Sequence, residues 1–486
     1  MTSWRALSHL PASDQRSLQN RLLRKYVRHQ IPYSPYYRRL FAEHGLSFAD
    51  IRTTDDLQRI PFVSKEDIAP TGDDPGKPRH FILQPNEELI RKHAAKGLLL
   101  KIIAMRAIGR DPKPMLEWHY KPIHIHFTTG RSAAPTAFTY SSRDIELLKE
   151  SGARLLDVIG IDPEQVAINA FPYSPHLAFW LATFALQKIM MTSLHTGGGK
   201  IMGSTKILDA TERMKASVMT VIPGYFYHLM RQAKDEGRRF ENLKYIVFGG
   251  DRVSPGLKDK ARDMLEAMGA TEPRFYSTYA MTEGKTAWIQ CAEDTGYHTY
   301  PDLDFWEVVD EDGNRVREGD PGELVYTSLA WCGTTVLRYR TGDITKGISY
   351  DACPNCGKTV PRIHPDIQRK TEFREFHLTK VKGELVNLNA FYPILSGTKQ
   401  IEEWQVQIKK KNNDPFEVDE IVVVVAMKRG AQLNTIAEAL KKQIVAEAGV
   451  TPIIEEQTVA ALLESMGMDT ELKEQRILDL RPRHTP

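Results

Sequence analysis

Only four cysteines occur in 486 residues, so no disulfide framework holds this chain together, and a reducing, cytoplasmic setting is the expectation. Charge of one sign is also missing. Lys and Arg number 65 against 62 Asp and Glu, a formal net charge of +3, which leaves no electrostatic case for nucleic acid as a partner. No apolar run reaches the length that spans a bilayer, so no membrane span is expected. The first residues, MTSWRALSHLPASDQ, lack the charged-then-apolar order of a secretory leader. Internal repeats and low-complexity tracts are absent as well. What is present is an ordinary globular composition, 41% hydrophobic and 26% charged. The length is too great for one small core and implies roughly two or three domains.

Residues 15–45 read as helical, with Leu18, Leu22 and Tyr26 at helical spacing and a turn at IPYSPYY. NEELIRKHAAKGLLLKIIAMRAIGR, residues 86–110, predicts one helix. Leu99 and Ile103 fall among Arg91, Lys96 and Arg106, so a packed helix with a solvated basic edge is preferred to a membrane-surface helix. From 123 to 345 short apolar runs (VAINAFPY, ASVMTVIPG, LKYIVFGGD, ELVYTSL) alternate with amphipathic segments such as SPGLKDKARDMLEAMGA. That alternation predicts an α/β layered domain. After about residue 370 the texture changes. EEWQVQIKKKNNDPFEVDEIVVVVAM predicts two strands around a polar turn, and AQLNTIAEALKKQIVAEAG an amphipathic helix. The expected fold is therefore a large N-terminal α/β domain, 1–369, and a small α+β domain, 370–486.

Five stretches carry chemistry. FTTGRSAAPT, 127–136, has the shape of a phosphate loop, with Thr128, Thr129, Gly130, Arg131 and Ser132, but has Ala133 and Ala134 where more glycine and a lysine are usual. LKYIVFGGD ends in Gly249, Gly250 and Asp251; glycines at a strand's carboxyl end let a flat ring or phosphate approach the backbone, although the same string is often just a turn. In YSTYAMTEGK, Tyr279 suits a base, Thr282 a phosphate and Glu283 a magnesium ion; the plainer reading is a strand-to-helix junction with a Thr cap. In LRYRTGDIT, Asp343 suits a ribose, against an isolated β-turn with an Asx cap. Cys353-Pro-Asn-Cys356, with Cys291 and His298 upstream, makes a Cys₃His set suited to structural zinc. Free thiols or a redox pair are the alternatives. Cys332 is left over.

Taken in order, these motifs resemble the adenylate-forming superfamily, and within it the phenylacetate–coenzyme A ligase-like branch. SPYYRRLF and DLQRIPFVSKEDI are similar to that branch's N-terminal signature. Gly249-Gly250-Asp251 resembles its Gly-Gly-Glu adenine segment, and Tyr279-Ala-Met-Thr282-Glu283 its Tyr-Gly-x-Thr-Glu motif, with Ser277 and Thr278 beside it. Tyr339-Arg-Thr-Gly-Asp343 matches the ribose segment. The resemblance implies zinc at CPNCGKTVPRI, a ribose- or phosphate-contacting Arg369 before a hinge, and a catalytic lysine at Lys473 in LKEQRILDLR. Departures are the loop, Leu472 for Gly, and Thr371-Glu372 with an inserted FREFHLT at the hinge.

The implied reaction is ATP-dependent activation of an aryl or small carboxylic acid through an acyl-AMP. Lys473, Thr282 and Glu283 serve the chemistry, Asp343 the ribose, and Tyr279 and Asp251 the adenine. The acid pocket is sought in FPYSPHLAFW, HTGGGK and IPGYFYHL, with His176 and Tyr225 as candidates. Expected cofactors are ATP, Mg²⁺, structural Zn²⁺ and coenzyme A. Expected partners are the small acid, then coenzyme A, an amine or a carrier protein as acceptor, and a second copy of the chain. Three rivals stay open: a different nucleophile or acceptor, including nitrite activated for diazotisation; a non-catalytic nucleotide-binding homologue; and a redox protein using Cys353 and Cys356.

Overall fold

The computed structural model describes residues 3–128, 135–251, 253, 255–369, 378–381, 384–410, 419–466 and 475–481. The chain forms two compact units. The first comprises Met1–Asn169, Tyr173–His195 and Tyr276–Ile367; the second Ala170–Pro172, Thr196–Phe275 and Gln368–Pro486. The architecture is mixed α/β, as the alternation of apolar runs and amphipathic segments predicts.

In the first unit, helix Ala12–His29 ends at a 3₁₀ turn, Ile31–Tyr33, before helix Pro35–Glu43. Pro35 at the first helical position and Ser34 as its cap fix that start. Tyr26, Tyr33 and Tyr37 are buried to within 1% exposure, and two of them reach far along the chain. The Tyr26 hydroxyl donates to the Trp331 carbonyl. The Tyr37 hydroxyl accepts from Leu337 N at 2.6 Å. The N-terminal signature therefore braces the approach to the Tyr339–Asp343 segment. Val63 completes the brace, donating to the Arg338 carbonyl at 3.0 Å and accepting from Arg340 N at 2.8 Å.

The stretch read as one helix over 86–110 is two, Glu87–His93 and Lys96–Ala107, broken at Ala94 and Ala95, both extended. Ile90 and Ile102 share one buried cluster with Tyr33, Leu83 and Cys332. On a straight helix these two residues would point about a third of a turn apart, so the break lets both face inward. Its outer face is also more than a basic edge, since Leu100, Ile103 and Ile108 are exposed there.

Strands Asp304–Val309, Gly322–Ser328 and Tyr339–Thr345 pair antiparallel in this unit, with a register shift between Glu323 and Val325. Strands Val166–Asn169 and Thr192–His195 pair in parallel across helix Leu177–Lys188. Helix Ser142–Val158 approaches that crossover helix closely at Gly152, where a Cβ would lie 2.7 Å from Ala185 Cβ.

In the second unit, Val218–Val221 and Tyr245–Phe248 pair in parallel, and all eight residues are buried. Strands covered on both faces carry such unbroken apolar runs. Helices Pro223–Asp235 and Pro255–Ala267 follow them. The C-terminal sheet has the order Ile453–Glu456, Asp419–Met427, Ile401–Lys410, Ile477–Asp479. Its central pair is antiparallel and both outer pairings are parallel. Helix Ala437–Ala448, stopped by left-handed Gly449, packs with Val406, Ile408, Val423 and Val425; Leu462 and Met466 pack with Val422 and Val424. Alternation along Ile421–Ala426 thus feeds two apolar clusters.

Candidate functional site

Thr128 ends the strand pair His124–Phe127 and Ala137–Tyr140. Its amide donates to the Thr136 carbonyl at 3.0 Å and its hydroxyl accepts from Thr136 N at 3.1 Å, so the loop sits on a closed two-strand stem. Thr129, Gly130, Arg131 and Ser132 lie outside the described residues, as do Lys473, Leu472, the Thr371-Glu372 hinge pair and residues 373–377 of its insertion.

The YSTYAMTEGK stretch is a strand, Arg274–Met281, a tight turn, and a second strand, Thr286–Ile289. A strand-to-helix junction is therefore overturned; TAWI, β-branched and aromatic, pairs back antiparallel with Tyr279 opposite Trp288. Ser277 is buried and Thr278 half-buried. Thr282 begins the turn, its carbonyl accepting from Lys285 N at 3.1 Å. Likewise LRYRTGDIT is not a free β-turn: Tyr339–Thr345 is one strand with Gly342 at φ +72°. The left-handed glycine lets the strand bulge without breaking.

Two motif tyrosines hold two motif carboxylates. The Tyr279 hydroxyl donates to Asp343 Oδ2 at 2.7 Å, and the Tyr339 hydroxyl donates to Glu283 Oε1 at 3.0 Å. Asp343 also receives order from Thr341, whose hydroxyl accepts from Asp343 N at 3.0 Å. The Tyr279 ring lies among Trp288, Tyr297 and Trp306, with centroids 5.7–6.1 Å away.

Beneath the Glu283 turn lies a pair absent from the sequence reading. Lys285, fully buried at φ +58°, donates to Asp144 Oδ2 at 3.0 Å and to the Thr139 carbonyl at 2.7 Å. Its ammonium sits 4.7 Å from the Tyr140 ring centroid. Burial pulls its pKa down against the upward pull of Asp144. Asp144 accepts in addition from Cys332 N at 2.7 Å and Gly333 N at 2.6 Å. A Cβ at Gly333 would stand 2.1 Å from the Thr139 carbonyl oxygen, so only glycine fits. One ion pair thus joins the loop stem, the start of helix Ser142–Val158, the 332–333 bend and the Glu283 turn. Its only legible signal is Ser141-x-x-Asp144, the spacing of a capping box, which forms.

Beside the stem, His126 is buried between His124, at 2.8 Å, and the Tyr140 hydroxyl, at 2.9 Å. Burial, then the neighbouring cations, push its pKa down to about 3, so the ring is neutral. His176 Nδ1 is 2.8 Å from the Phe127 carbonyl and donates to it, steadying the same strand.

The remaining nucleotide and acid candidates fall in the second unit. Gly249 N donates to the Val221 carbonyl at 3.3 Å, Gly250 takes φ +85°, and Asp251 is half-buried. Arg369 closes strand Ile367–Arg369 and is exposed. Tyr225 is buried, with its hydroxyl 3.1 Å from Ser204 Oγ. A Cβ at Gly199 would lie 2.6 Å from that hydroxyl, and one at Gly198 2.9 Å from Pro172 Cα. Gly198 and Gly199 of HTGGGK therefore pack against Pro172 and Tyr225 within the second unit, while His176 stays in the first.

Cys291, His298, Cys353 and Cys356 converge in the first unit, their ligand atoms all within 4.8 Å of one another. Cys291 and Cys353 sulfurs are 3.5 Å apart, and Cys356 Sγ is 3.3 Å from His298 Nε2. That is far beyond a disulfide bond length and near the roughly 3.7 Å edge of a tetrahedron with zinc–sulfur bonds. His298 Nδ1 donates to the Ile289 carbonyl at 3.2 Å, which leaves Nε2 for a metal. A hydrogen bond with Cys356 outweighs burial and lowers the Cys291 pKa to about 3. The donor set and its spacing fit a tetrahedral soft-metal site.

Residues 140–330 match the family model described as AMP-binding enzyme. The chain is similar to phenylacetate–coenzyme A ligases of Thermus thermophilus, 25% identical across 92% of this chain and 93% of that one, and of Pseudomonas putida, 22% identical across 94% and 93%. Among solved structures it is similar to 2-hydroxyisobutyryl-CoA ligase in the postadenylation state with R3-HIB-AMP, 22% identical, at a TM-score of 0.74 over 98% of this chain and 92% of that one. The same ligase in its thioesterification state gives 0.61, at 21% identity over 98% and 91%. These likenesses show the fold.

Proposed function

Taking as premise that this chain belongs to the adenylate-forming superfamily and is an AMP-forming ligase, we propose that it activates an aryl or small carboxylic acid and passes the acyl group to coenzyme A or another nucleophile. The observation that supports this reading is the pair of tyrosine–carboxylate hydrogen bonds, Tyr279 to Asp343 and Tyr339 to Glu283. Each fixes a carboxylate that would otherwise rotate, at the two motifs that serve ribose and phosphate in this superfamily.

In the first half-reaction the acid's carboxylate oxygen attacks the α-phosphorus of ATP and the bond to pyrophosphate breaks. Positioning and charge stabilisation carry the rate. Lys473 neutralises the developing charge, Thr282 contacts the α-phosphate, and Asp343 accepts from the ribose. Asp251 and Tyr279 border the adenine, with Ser277 and Thr278 alongside. Thr128 anchors the loop in which Arg131 substitutes for the missing lysine. Glu283 supplies the hard oxygen that Mg²⁺ prefers, and the ion, when bound, offsets phosphate charge. In the second half-reaction the acceptor attacks the acyl carbon and AMP leaves, after the small domain, 370–486, turns about the segment near Arg369. Cys291, His298, Cys353 and Cys356 would hold structural zinc, which would pin the Cys353–Cys356 turn and leave the acyl chemistry to the other residues.

A pyrophosphate-release screen over aryl and short-chain acids, nitrite, coenzyme A and amines tests the reading. Release with an aryl or small acid, and consumption of coenzyme A, are expected. Release with nitrite alone, or product that needs an amine and ignores coenzyme A, would move the chain to the non-thiol reading. AMP formation abolished by Lys473→Ala would dispose of a non-catalytic homologue.

A further inference from the structure

We propose that helix Lys96–Ala107 docks this protein on the headgroup plane of an anionic phospholipid bilayer. The helix has two apolar faces. Leu98, Leu99 and Met115 of the following helix pack with Ile102 against the buried cluster around Tyr33 and Cys332. On the opposite side, Leu100, Ile103, Ala104, Ala107 and Ile108 follow the i, i+3, i+4, i+7, i+8 spacing of one continuous stripe. That stripe faces outward: Leu100, Ile103 and Ile108 are 66%, 62% and 69% exposed. Single exposed leucines need no explanation, but an aligned stripe on an outer helix face does.

Charge selects the occupant. From 91 to 110 the chain carries Arg91, Lys92, Lys96, Lys101, Arg106 and Arg110 and no Asp or Glu. Glu87 pairs with Arg106 at 2.9 Å, with both side chains more than half exposed, and so offsets one cation weakly. Apolar residues line both faces of this helix, one inward and one outward; on the outward side the stripe would enter the acyl boundary while the neighbouring cations meet phosphate. A second copy of this chain fits less well. A two-fold interface would set the same cationic helix against itself. Among the described residues no helix is long and apolar enough to cross a membrane, so the contact is superficial.

The test is co-sedimentation of the full chain with phosphatidylcholine vesicles, with and without phosphatidylserine, at low and high salt. Binding to the anionic vesicles is expected, weakened by salt and absent from the neutral ones. Leu100→Glu with Ile103→Glu, and separately Lys96→Glu with Lys101→Glu, are each expected to lower the bound fraction by roughly tenfold or more, with unchanged thermal melting, since all four residues are surface positions. No binding by the wild type overturns the proposal, as does binding that neither double variant weakens. A halving of the solution mass by light scattering in Leu100→Glu, Ile103→Glu would overturn it too, by making this face an interface between copies.

Discussion

The turn that carries Glu283 and the turn that carries Cys353 and Cys356 lie in the same unit, and opposite chemistry fixes them. Under Glu283 the protein supplies both charges itself. Lys285 and Asp144 are fully buried, 3.0 Å apart, and every neighbouring donor is a backbone amide or the lysine. Under the cysteines it gathers soft metal-type donors instead. Three sulfurs and an imidazole crowd together, a donor set that fits a soft cation, with Cys291 driven toward thiolate and Cys356 away from it. On the proposed function, the Glu283 turn is tied to a closed internal pair, whereas the knuckle would depend on metal supply.

Removing the metal should break that comparison most visibly. Chelation is expected to release one zinc per chain and forfeit up to about 10 kcal/mol of local folding free energy. Hydrogen exchange would then show residues 353–363 losing protection while the Glu283 turn keeps its own. Joint loss would mean the two turns are one cooperative piece. Next in size is Lys285→Met, which strands Asp144 in the interior and is expected to cost about 3–5 kcal/mol in denaturant melts with zinc content unchanged.

Much of this was legible, and the failures have physical causes. The runs YIVF and VMTV announce buried strands because parallel strands need no polar face. The Cys-x-x-Cys spacing announces its turn because both ligands come from one short loop. Lys285 was illegible because its partner lies 141 residues away and lysine is ordinarily a surface residue. The break at Ala94 and Ala95 was illegible because alanine is the best helix former; the shared cluster of Ile90 and Ile102 overrides it. The turn after Thr282 looks like a helix cap in isolation, and only the antiparallel return of Thr286–Ile289 decides otherwise.

Two smaller effects sharpen the contrast. His126, held neutral by burial beside the loop stem, has a folded pKa of about 3 against 6.5 unfolded. The unfolded chain therefore takes up the extra proton between those values, and stability is lost as pH falls from 6.5 toward 3, by about 1.4 kcal/mol per unit from this group. In His126→Gln that part of the slope should vanish. Tyr339→Phe removes one hydrogen bond from Glu283, about 0.5–1.5 kcal/mol. It is expected to raise the KM for magnesium–ATP by roughly twofold to tenfold, with a drop in melting temperature of at most a few degrees and zinc content unaltered.

The central claim is that these motifs adenylate an acid. Acid-dependent exchange of labelled pyrophosphate into ATP tests it without any acceptor. The account predicts exchange that appears only with a carboxylic acid present and falls by orders of magnitude in Glu283→Gln. ATP binding with no exchange for any acid, or exchange untouched by Glu283→Gln, would contradict it.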